Sequence, residues 1–297
     1  LILFGIVVYY NQIEIFIEKY RIIKNELNFI SSHGHTVYHQ PEKKLTLQIG
    51  NGEAIFQNCG IPVINNFRVA DVLAEGQGAP LVPIGDKLLF SKYDFCLNLG
   101  GISNISFDNN GERIAFDIGP QNLAINLIAN RKGLPMDRGG KIAQEGELKD
   151  DLKNELDKYA YYQFPFPKSL GIENLHKDFF PVLLQSKYSD EDILHTLYHH
   201  LAFQISRVIL QYRNGDAKLL VTGGGAHNNF FIEVLQEYLQ QKVAIVIPDS
   251  QIVDFKEALV FAFLGVLRHN QEVNILKSVT GATRNSSSGV LYGFQES

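Results

Sequence analysis

Three glycine-rich turns and one carboxylate carry most of the chemistry legible in this 297-residue chain. Each turn closes an apolar, strand-like run. Gly34 lies within Ser32-His33-Gly34-His35-Thr36, Gly100-Gly101 follow Phe95-Cys96-Leu97-Asn98-Leu99, and Gly223-Gly224-Gly225 follow Leu219-Leu220-Val221-Thr222. The carboxylate is Asp117, which ends the run Ile114-Ala115-Phe116 just before Gly119-Pro120. Glycine lets backbone N–H groups approach a ligand with no Cβ in the way, and successive N–H groups form an anion-binding nest. Several such turns around one acid describe a phosphate cradle with a base beside it, the equipment of phosphoryl transfer. One glycine turn alone would be only a turn, and an Asp before Gly-Pro more often serves a turn or a helix start. The weight lies in the combination.

Other chemistry-bearing residues read less sharply. His33, His35 and His39 form one cluster, and His195, His199 and His200 another. Zinc needs three or four converging ligands, and a hydrolytic His-x-x-x-His helix carries a Glu inside the pair, which is absent here. No metal site is expected, the second cluster reads as the surface of a helix, and His33 reads as a ligand-facing group in its glycine turn. Arg68 and Asp71 are spaced for a local ion pair. Lys256-Glu257 open an apolar helix, where a lone acid has reason to face a polar cavity. Tyr161-Tyr162 and Phe164-Pro165-Phe166-Pro167 are aromatic enough to line a sugar, with core packing as the default.

These residues need elements to hold them. Helical spacing through Phe16, Tyr20, Ile23 and Leu27 predicts a helix over 13–29, preceded by an apolar stretch, 1–10, that reads as a buried strand or helix start rather than a signal. Strands are expected at 45–49, ending on the turn Gly50-Asn51-Gly52, and at 62–64. Strands 95–99 and 102–107 flank Gly100-Gly101 as a hairpin, and a third ends at Asp117. Asn122 reads as the cap of a helix through Ile128 with Gly133 beyond it. Ile193, Leu197, Leu201, Ile205, Val208 and Tyr212 draw a long amphipathic helix. A strand at 219–222, a helix from about Asn229, a strand at 243–247 and a buried helix over 256–267 complete the pattern. Alternating strands and helices define an α/β chain with ligands at strand C-terminal ends.

Composition narrows the partners. An apolar share of 45% suits a folded protein, and a formal charge of −5 gives no general attraction to nucleic acid or an anionic membrane. Cys59 and Cys96 are the two cysteines, expected as reduced core thiols in a cytoplasmic protein. The length accommodates two cores: residues 1–92 with 268–297 as a first, incomplete domain, and 93–267 as a second carrying Asp117 and the later glycine turns.

Assembled in order, these segments resemble the anhydro-N-acetylmuramic acid kinase family of the sugar kinase, Hsp70 and actin superfamily. The resemblance runs through Ser32-His33-Gly34-His35-Thr36-Val37-Tyr38-His39, Asn66-Phe67-Arg68 with Asp71, and Gly76-Gln77-Gly78-Ala79-Pro80-Leu81-Val82-Pro83. It continues through Asn98 to Asn104, Phe116 to Asn122, Pro167 to Gly171, Gly223 to Asn228, Lys256-Glu257-Ala258 and Thr280-Gly281-Ala282. It implies a two-domain, ribonuclease H-like α/β clamp with mixed sheets flanked by helices, closing on ATP-Mg²⁺ and an amino sugar. The implied reaction phosphorylates O6 of 1,6-anhydro-N-acetylmuramic acid while water opens the anhydro bridge, in peptidoglycan recycling. O6 carries no proton while it is tied up in the bridge, so water attacks C1 as O6 takes the phosphoryl group. By the same resemblance Asp117 is the base that activates this water. Arg68, Asp71 and Glu257, with His33, hold the sugar or its lactyl carboxylate. Gly100, Gly101, Asn104, Gly223, Gly224, Gly225 and Asn228 surround the nucleotide, and the protein is a homodimer.

The chain also departs from the pattern. The family opens with a Ser-Gly-Thr-Ser-Leu-Asp-Gly hairpin around the ATP phosphates, and no such run stands in these residues. Asn66 replaces an Asp, Ile118 and Gln121 replace small or hydroxylated residues, and Leu170 replaces a Thr. Gln121 is expected to crowd a phosphate or sugar contact. Two other readings therefore accompany the kinase: a catalytically silent sugar- or nucleotide-binding protein on the same fold, and a kinase of another anhydro sugar.

Overall fold

A computed structural model describes residues 2–295, with side chains from residue 11 onward. The chain divides into two compact units, Leu1–Leu88 with Glu257–Ser297, and Leu89–Lys256. The crossings thus lie at 88/89 and 256/257, where the sequence placed them at 92/93 and 267/268. The strands are β1 (Ile30–Ser32), β2 (His35–Gln40), β3 (Leu45–Ile49), β4 (Val63–Asn65) and β5 (Phe95–Leu99), then β6 (Ile102–Asn109), β7 (Glu112–Pro120), β8 (Ala217–Thr222), β9 (Val243–Val246) and β10 (Val290–Tyr292).

In the first unit β4 is the centre of a three-stranded sheet, with β1 parallel on one side and β10 antiparallel on the other. The hairpin β2–β3 forms a separate pair. A helix, Ile2–Lys19, precedes the sheet. It stops well short of the expected Phe29, because Arg21 turns left-handed (φ 53°) and a short 3₁₀ turn, Lys24–Glu26, follows. The inward face is also one residue away from the expected stripe. Ile17 is buried and Ile13 packs beside it against Ile55 and Val63, whereas Phe16, Tyr20 and Ile23 are all more than half exposed.

The expected turn at Gly50-Asn51-Gly52 is a helix start instead. Asn51 accepts a hydrogen bond from the Ala54 N–H at 2.9 Å and caps the helix Gly52–Cys59, which ends on left-handed Gly60. An N-cap of this kind is worth about 1 kcal/mol. The core under β4 is built from Ile64, Phe67, Val260, Phe261 and Leu264. Burying Phe67 to 2% exposure contributes about 1.5–3 kcal/mol by itself.

The helix Ser250–His269 supplies half of that core. It begins six residues before the expected start at Lys256, and its geometry breaks at Phe255 (φ −122°, ψ 15°), beside the point where the chain passes between units. It is not apolar-buried all round. Val260, Phe261, Leu264 and Leu267 are buried, while Phe255, Leu259 and Val266 are exposed. Gly265 lets it approach β1 closely, since a Cβ there would lie 2.7 Å from Ser31 Oγ.

The second unit is a five-stranded sheet in the order β7-β6-β5-β8-β9. The three strands β5, β6 and β7 form an antiparallel meander, and β8 and β9 add in parallel beyond β5. The hairpin at Gly100-Gly101 is as expected. β7, however, runs past Asp117 to Pro120, helped by a bulge where Ser103 pairs with Gly119 but Asn104 with Asp117. The helix Asn122–Arg131 follows, with Gln121 rather than Asn122 at its cap position. Asn122 donates from its side chain to the Leu99 carbonyl at 3.0 Å, tying the helix to the Gly100-Gly101 turn.

The long helix Asp190–Tyr212 is as expected, capped by Ser189, with Ile193, Leu197, Leu201 and Ile205 buried against the sheet's core. His195 and His199 are half-buried, and His200 is fully buried, correcting its placement on the surface. Its Nδ1–H donates to Asp157 at 2.7 Å, and its Nε2 accepts from the Tyr162 hydroxyl at 2.8 Å. Burial holds the His200 pKa below its ordinary value against the pull of Asp157. Burial pushes the Asp157 carboxyl up, but hydrogen bonds from His200 and Lys153 outweigh it and bring the pKa to about 2. Cys59 and Cys96 are both buried and form no disulfide, as expected.

Candidate active site

The register of the large sheet sets four polar residues side by side: Asp117 on β7, Asn104 on β6, Asn98 on β5 and Thr222 on β8. Directly paired residues share a face with Cβ atoms about 5 Å apart. Just beyond this row, β5 ends in Gly100-Gly101 and β8 in Gly223-Gly224-Gly225. The two turns touch. A Cβ on Gly223, whose φ is 81°, would lie 2.5 Å from Asn98 Oδ1 and 2.9 Å from the Leu99 carbonyl carbon. Only glycine permits that approach. Gly101 and Gly224 are exposed; a Cβ on Gly224 would meet only Asn122 Nδ2 at 3.8 Å, one on Gly101 would press on Leu123 at 3.1 Å, and Gly225 is buried and packs on Leu99.

Asp117 is half-buried and held asymmetrically. Its Oδ2 accepts from the Leu170 N–H at 2.9 Å and the Ser169 hydroxyl at 3.1 Å. Oδ1 accepts no hydrogen bond from the described residues. The Tyr161 hydroxyl donates to the Asp117 carbonyl at 2.8 Å, and the Lys168 ammonium lies over the Tyr161 ring at 4.5 Å. Burial raises the Asp117 pKa above its ordinary value, against the lowering effect of Leu170, Ser169 and Lys168. A carboxylate pinned through one oxygen, with the other open and its basicity raised, is arranged to take a proton.

Sequence reasoning did not single out Ser169, the Leu170 N–H or Tyr161 as the base's partners. They lie 44–53 residues away in chain order, on a segment with no regular period. Leu170 acts through its backbone, so the loss of a Thr side chain there leaves this bond intact. Gln121 does not crowd an open site: it is 1% exposed, and neither polar atom of its amide has a partner among the described residues. Asn228 is occupied within the fold. Its Oδ1 caps the helix Asn229–Leu239 through the Phe231 N–H, and its Nδ2 donates to Tyr198.

The first unit brings His33, Arg68 and Glu257 together. His33 Nδ1–H donates to the Gly34 carbonyl at 2.9 Å, which leaves Nε2 as an acceptor for Arg68 Nε and Nη2 at 3.0 and 2.7 Å. Burial, then the Arg68 charge, lower the His33 pKa, so it stands as a neutral imidazole. Its ring packs 4.5 Å from that of Phe261. Arg68 Nη1 also donates to the Gly78 carbonyl. Three of its five N–H groups are thereby used, leaving one on each terminal nitrogen. Burial opposes the Arg68 charge and exposed Glu257 supports it.

Asp71 forms no ion pair with Arg68. It is fully buried, accepting from the Thr280 hydroxyl and the Gly78 N–H, both at 2.7 Å. It therefore fixes the Gly76-Gln77-Gly78 turn whose carbonyl holds Arg68, in place of facing a ligand itself.

The large sheet thus carries one acid and two abutting glycine turns at the same end, a layout suited to phosphoryl transfer. The family model for anhydro-N-acetylmuramic acid kinase matches residues 6–293. The anhydro-N-acetylmuramic acid kinase of Aliivibrio fischeri is 37% identical over 281 residues, 91% of this chain and 77% of that protein. That of Bacillus cereus is 33% identical over 283 residues, 87% and 73% of the two chains. The chain belongs to the anhydro-N-acetylmuramic acid kinase family, a family of phosphotransferases. Among solved structures, the activator of 2-hydroxyisocaproyl-CoA dehydratase from Clostridium difficile aligns over 58% of this chain and 60% of its own, at 14% identity and a TM-score of 0.38.

Proposed function

We propose that this chain uses ATP to convert 1,6-anhydro-N-acetylmuramic acid and water to N-acetylmuramic acid 6-phosphate. The observation that carries the proposal is Asp117: Oδ2 pinned by two donors, Oδ1 open, beside a paired glycine cradle. Asp117 Oδ1 takes a proton from the water that attacks C1. The C1–O6 bond breaks and its electron pair stays on O6, which receives the phosphoryl group. ATP supplies that phosphoryl group when bound. The exposed backbone of Gly101 and Gly224, with Gly100 and Gly223 beside it, fits phosphates, because no side chain stands on these turns. Asn104, paired with Asp117, is placed to orient the water. Arg68, with one N–H on each terminal nitrogen, suits the lactyl carboxylate, and neutral His33 keeps it in place.

Among the described residues no group of three or more His, Cys, Asp and Glu side chains converges. Mg²⁺ commonly binds through substrate phosphates, waters and one or two carboxylates, so such a group is not required for it to enter on the nucleotide. A homodimer and a cytoplasmic location complete the reading; light scattering tests the first. Among the described residues no helix is long and apolar enough to cross a membrane.

The test is mass spectrometry of the sugar after incubation with ATP in ¹⁸O-labelled water. A product carrying one phosphoryl group and one labelled oxygen on the sugar supports the proposal. Label in released inorganic phosphate with the sugar unchanged overturns it.

A further inference from the structure

His200 is a polar, titratable group for which the chemistry above has no use. It is fully buried in the helix Asp190–Tyr212 and ties that helix to two distant segments. Its Nδ1–H meets Asp157 at the end of the helix Asp150–Asp157, and its Nε2 meets the Tyr162 hydroxyl in the short turn Ala160–Gln163. Asp157 is engaged at both oxygens: Oδ1 also accepts from Gln204 at 2.9 Å, and Oδ2 accepts from Lys153 at 2.8 Å. The direction of the chain is thereby forced. An ionised carboxylate only accepts, so Nδ1 carries the proton, Nε2 is bare and Tyr162 must donate. Losing the Tyr162 bond leaves a buried ring nitrogen without a partner, so the turn is held in one place.

What the turn holds is Asp117. The Tyr162 ring lies on the backbone of Gly119, two residues beyond Asp117 on β7: a Cβ there would stand 2.9 Å from its Cε1 and 3.1 Å from its hydroxyl oxygen. The neighbouring Tyr161 donates to the Asp117 carbonyl at 2.8 Å, and its own carbonyl accepts from the Lys168 ammonium at 3.1 Å. The Lys168 carbonyl in turn accepts from the Asp117 N–H at 3.3 Å, and the next two residues, Ser169 and Leu170, supply both donors to Oδ2. Residues 160–170 thus form a bracket around the acid, and the Tyr162–His200 bond fastens that bracket to the long helix.

We propose that His200 and Tyr162 are positioning residues, which with Asp157 fix the bracket that aims Oδ1 of Asp117 at the attacking water. They act through Tyr161, Gly119 and residues 168–170, and not on the reacting atoms. The inference rests on the kinase reading for the identity of the reaction, but not for the link between His200 and the carboxylate. A slackened bracket loosens the donors on Oδ2. Those donors and the Lys168 charge are what hold the Asp117 pKa down against burial, so it rises when they loosen. Lys168 and Tyr161, the ionisable groups beside Asp117, both belong to the bracket.

The test applies two readouts to Tyr162→Phe, which deletes one oxygen and keeps the ring on Gly119. The first is titration of the Asp117 carboxyl carbon by ¹³C NMR in the chain without ligands, its signal assigned by its loss in Asp117→Asn. The second is steady-state turnover of 1,6-anhydro-N-acetylmuramic acid with ATP. The carboxyl is expected to titrate at higher pH than in the parent. The kcat is expected to fall about tenfold, within the about 10²-fold that a displaced catalytic group can cost, with the KM for ATP changed less than about threefold. His200→Asn keeps a donor at the Nδ1 position but falls short of Tyr162, so it breaks the same bond from the other side and carries the test if Tyr162→Phe proves unstable. His200→Gln restores an acceptor at the Nε2 position and should keep kcat within about threefold of the parent. An unchanged titration or an unchanged kcat overturns the proposal whatever the melting curves show, because the network then only stabilises the fold. A His200→Gln chain as slow as His200→Asn also overturns it. If the parent phosphorylates no sugar, a shifted titration still supports the hold on Asp117 while the kinase reading falls, and an unshifted one removes both.

Discussion

Replacing Asp117 by Asn separates the base from everything that positions it. The amide oxygen of Asn can keep the bonds now made by Oδ2 to the Leu170 N–H and the Ser169 hydroxyl, 2.9 and 3.1 Å. The NH₂ then stands where Oδ1 is open, a donor in place of an acceptor, and it takes no proton. Loss of general-base catalysis is worth about 10²–10⁴ in kcat, or about 3–5 kcal/mol of barrier. The same substitution acts on stability with the opposite sign. Burial raises the folded-state pKa of Asp117 above the ordinary 3.8 of an aspartate. A raised carboxylate contributes favourably while protonated, at low pH, and that contribution is lost as pH rises through the folded pKa. At pH 7 the ionised group is therefore a net cost, and Asp117→Asn is expected to melt higher than the parent. The advantage should shrink on acidification. ADP release gives kcat and the KM for ATP, which is expected to stay within about threefold. A kcat within tenfold of the parent, or a lower melting point at pH 7, would refute the assignment of Asp117 as an openly held, partly desolvated base.

Three further outcomes follow from the same geometry. Gly223→Ala places a Cβ 2.5 Å from Asn98 Oδ1 in a left-handed backbone, so the turn must move; the KM for ATP should rise at least tenfold (about 1.4 kcal/mol), and an unchanged KM would detach this turn from the nucleotide. Gln121→Leu keeps the size of a side chain that is 1% exposed and removes two unpartnered polar atoms, which should raise Tm by about 2–6 °C; an equal or lower Tm means the amide is satisfied in solution. The acid limb of kcat/KM, which reports the free enzyme, should fall with a slope of one at a pH above the 3.8 of an ordinary Asp, and a limb at or below that value would show that another group is the base.

The large sheet was legible because each of its strands is an apolar run cut off by glycine, by Asn-Gly or, for β9, by Pro248, a local signal that needs no knowledge of partners. The glycine turns were legible for the same reason. What sequence could not show is which polar residues the fold consumes. Asp71 and Asn228 have the residue types of ligand contacts, yet one is spent on Thr280 and Gly78 and the other on a helix cap and Tyr198. His200 follows the His195 and His199 pair and reads as an exposed helix residue, but Asp157 and Tyr162 come from distant segments to bury it. Asn65 shows the reverse case. It lies at the end of a short strand with nothing to distinguish it, and only the structure shows its Nδ2 tying β4 to the Gly50 carbonyl.

The bond from Thr280 to Asp71 spans 209 residues, that from Ser288 to the Phe67 carbonyl spans 221, and β10 pairs with β4 from the far end of the chain. The second unit, by contrast, is one uninterrupted stretch. Synthesis on the ribosome is vectorial, and domains generally fold as their sequence emerges. The second unit therefore needs nothing from outside its own stretch to close its sheet. The first unit waits for both ends: until residues 280–292 have emerged, Asp71 lacks one of its two donors, β4 has an unpaired edge, and the turn that holds Arg68 is unfinished. The surroundings of Asp117 are thus self-sufficient within one stretch of chain, while those of Arg68 are closed last.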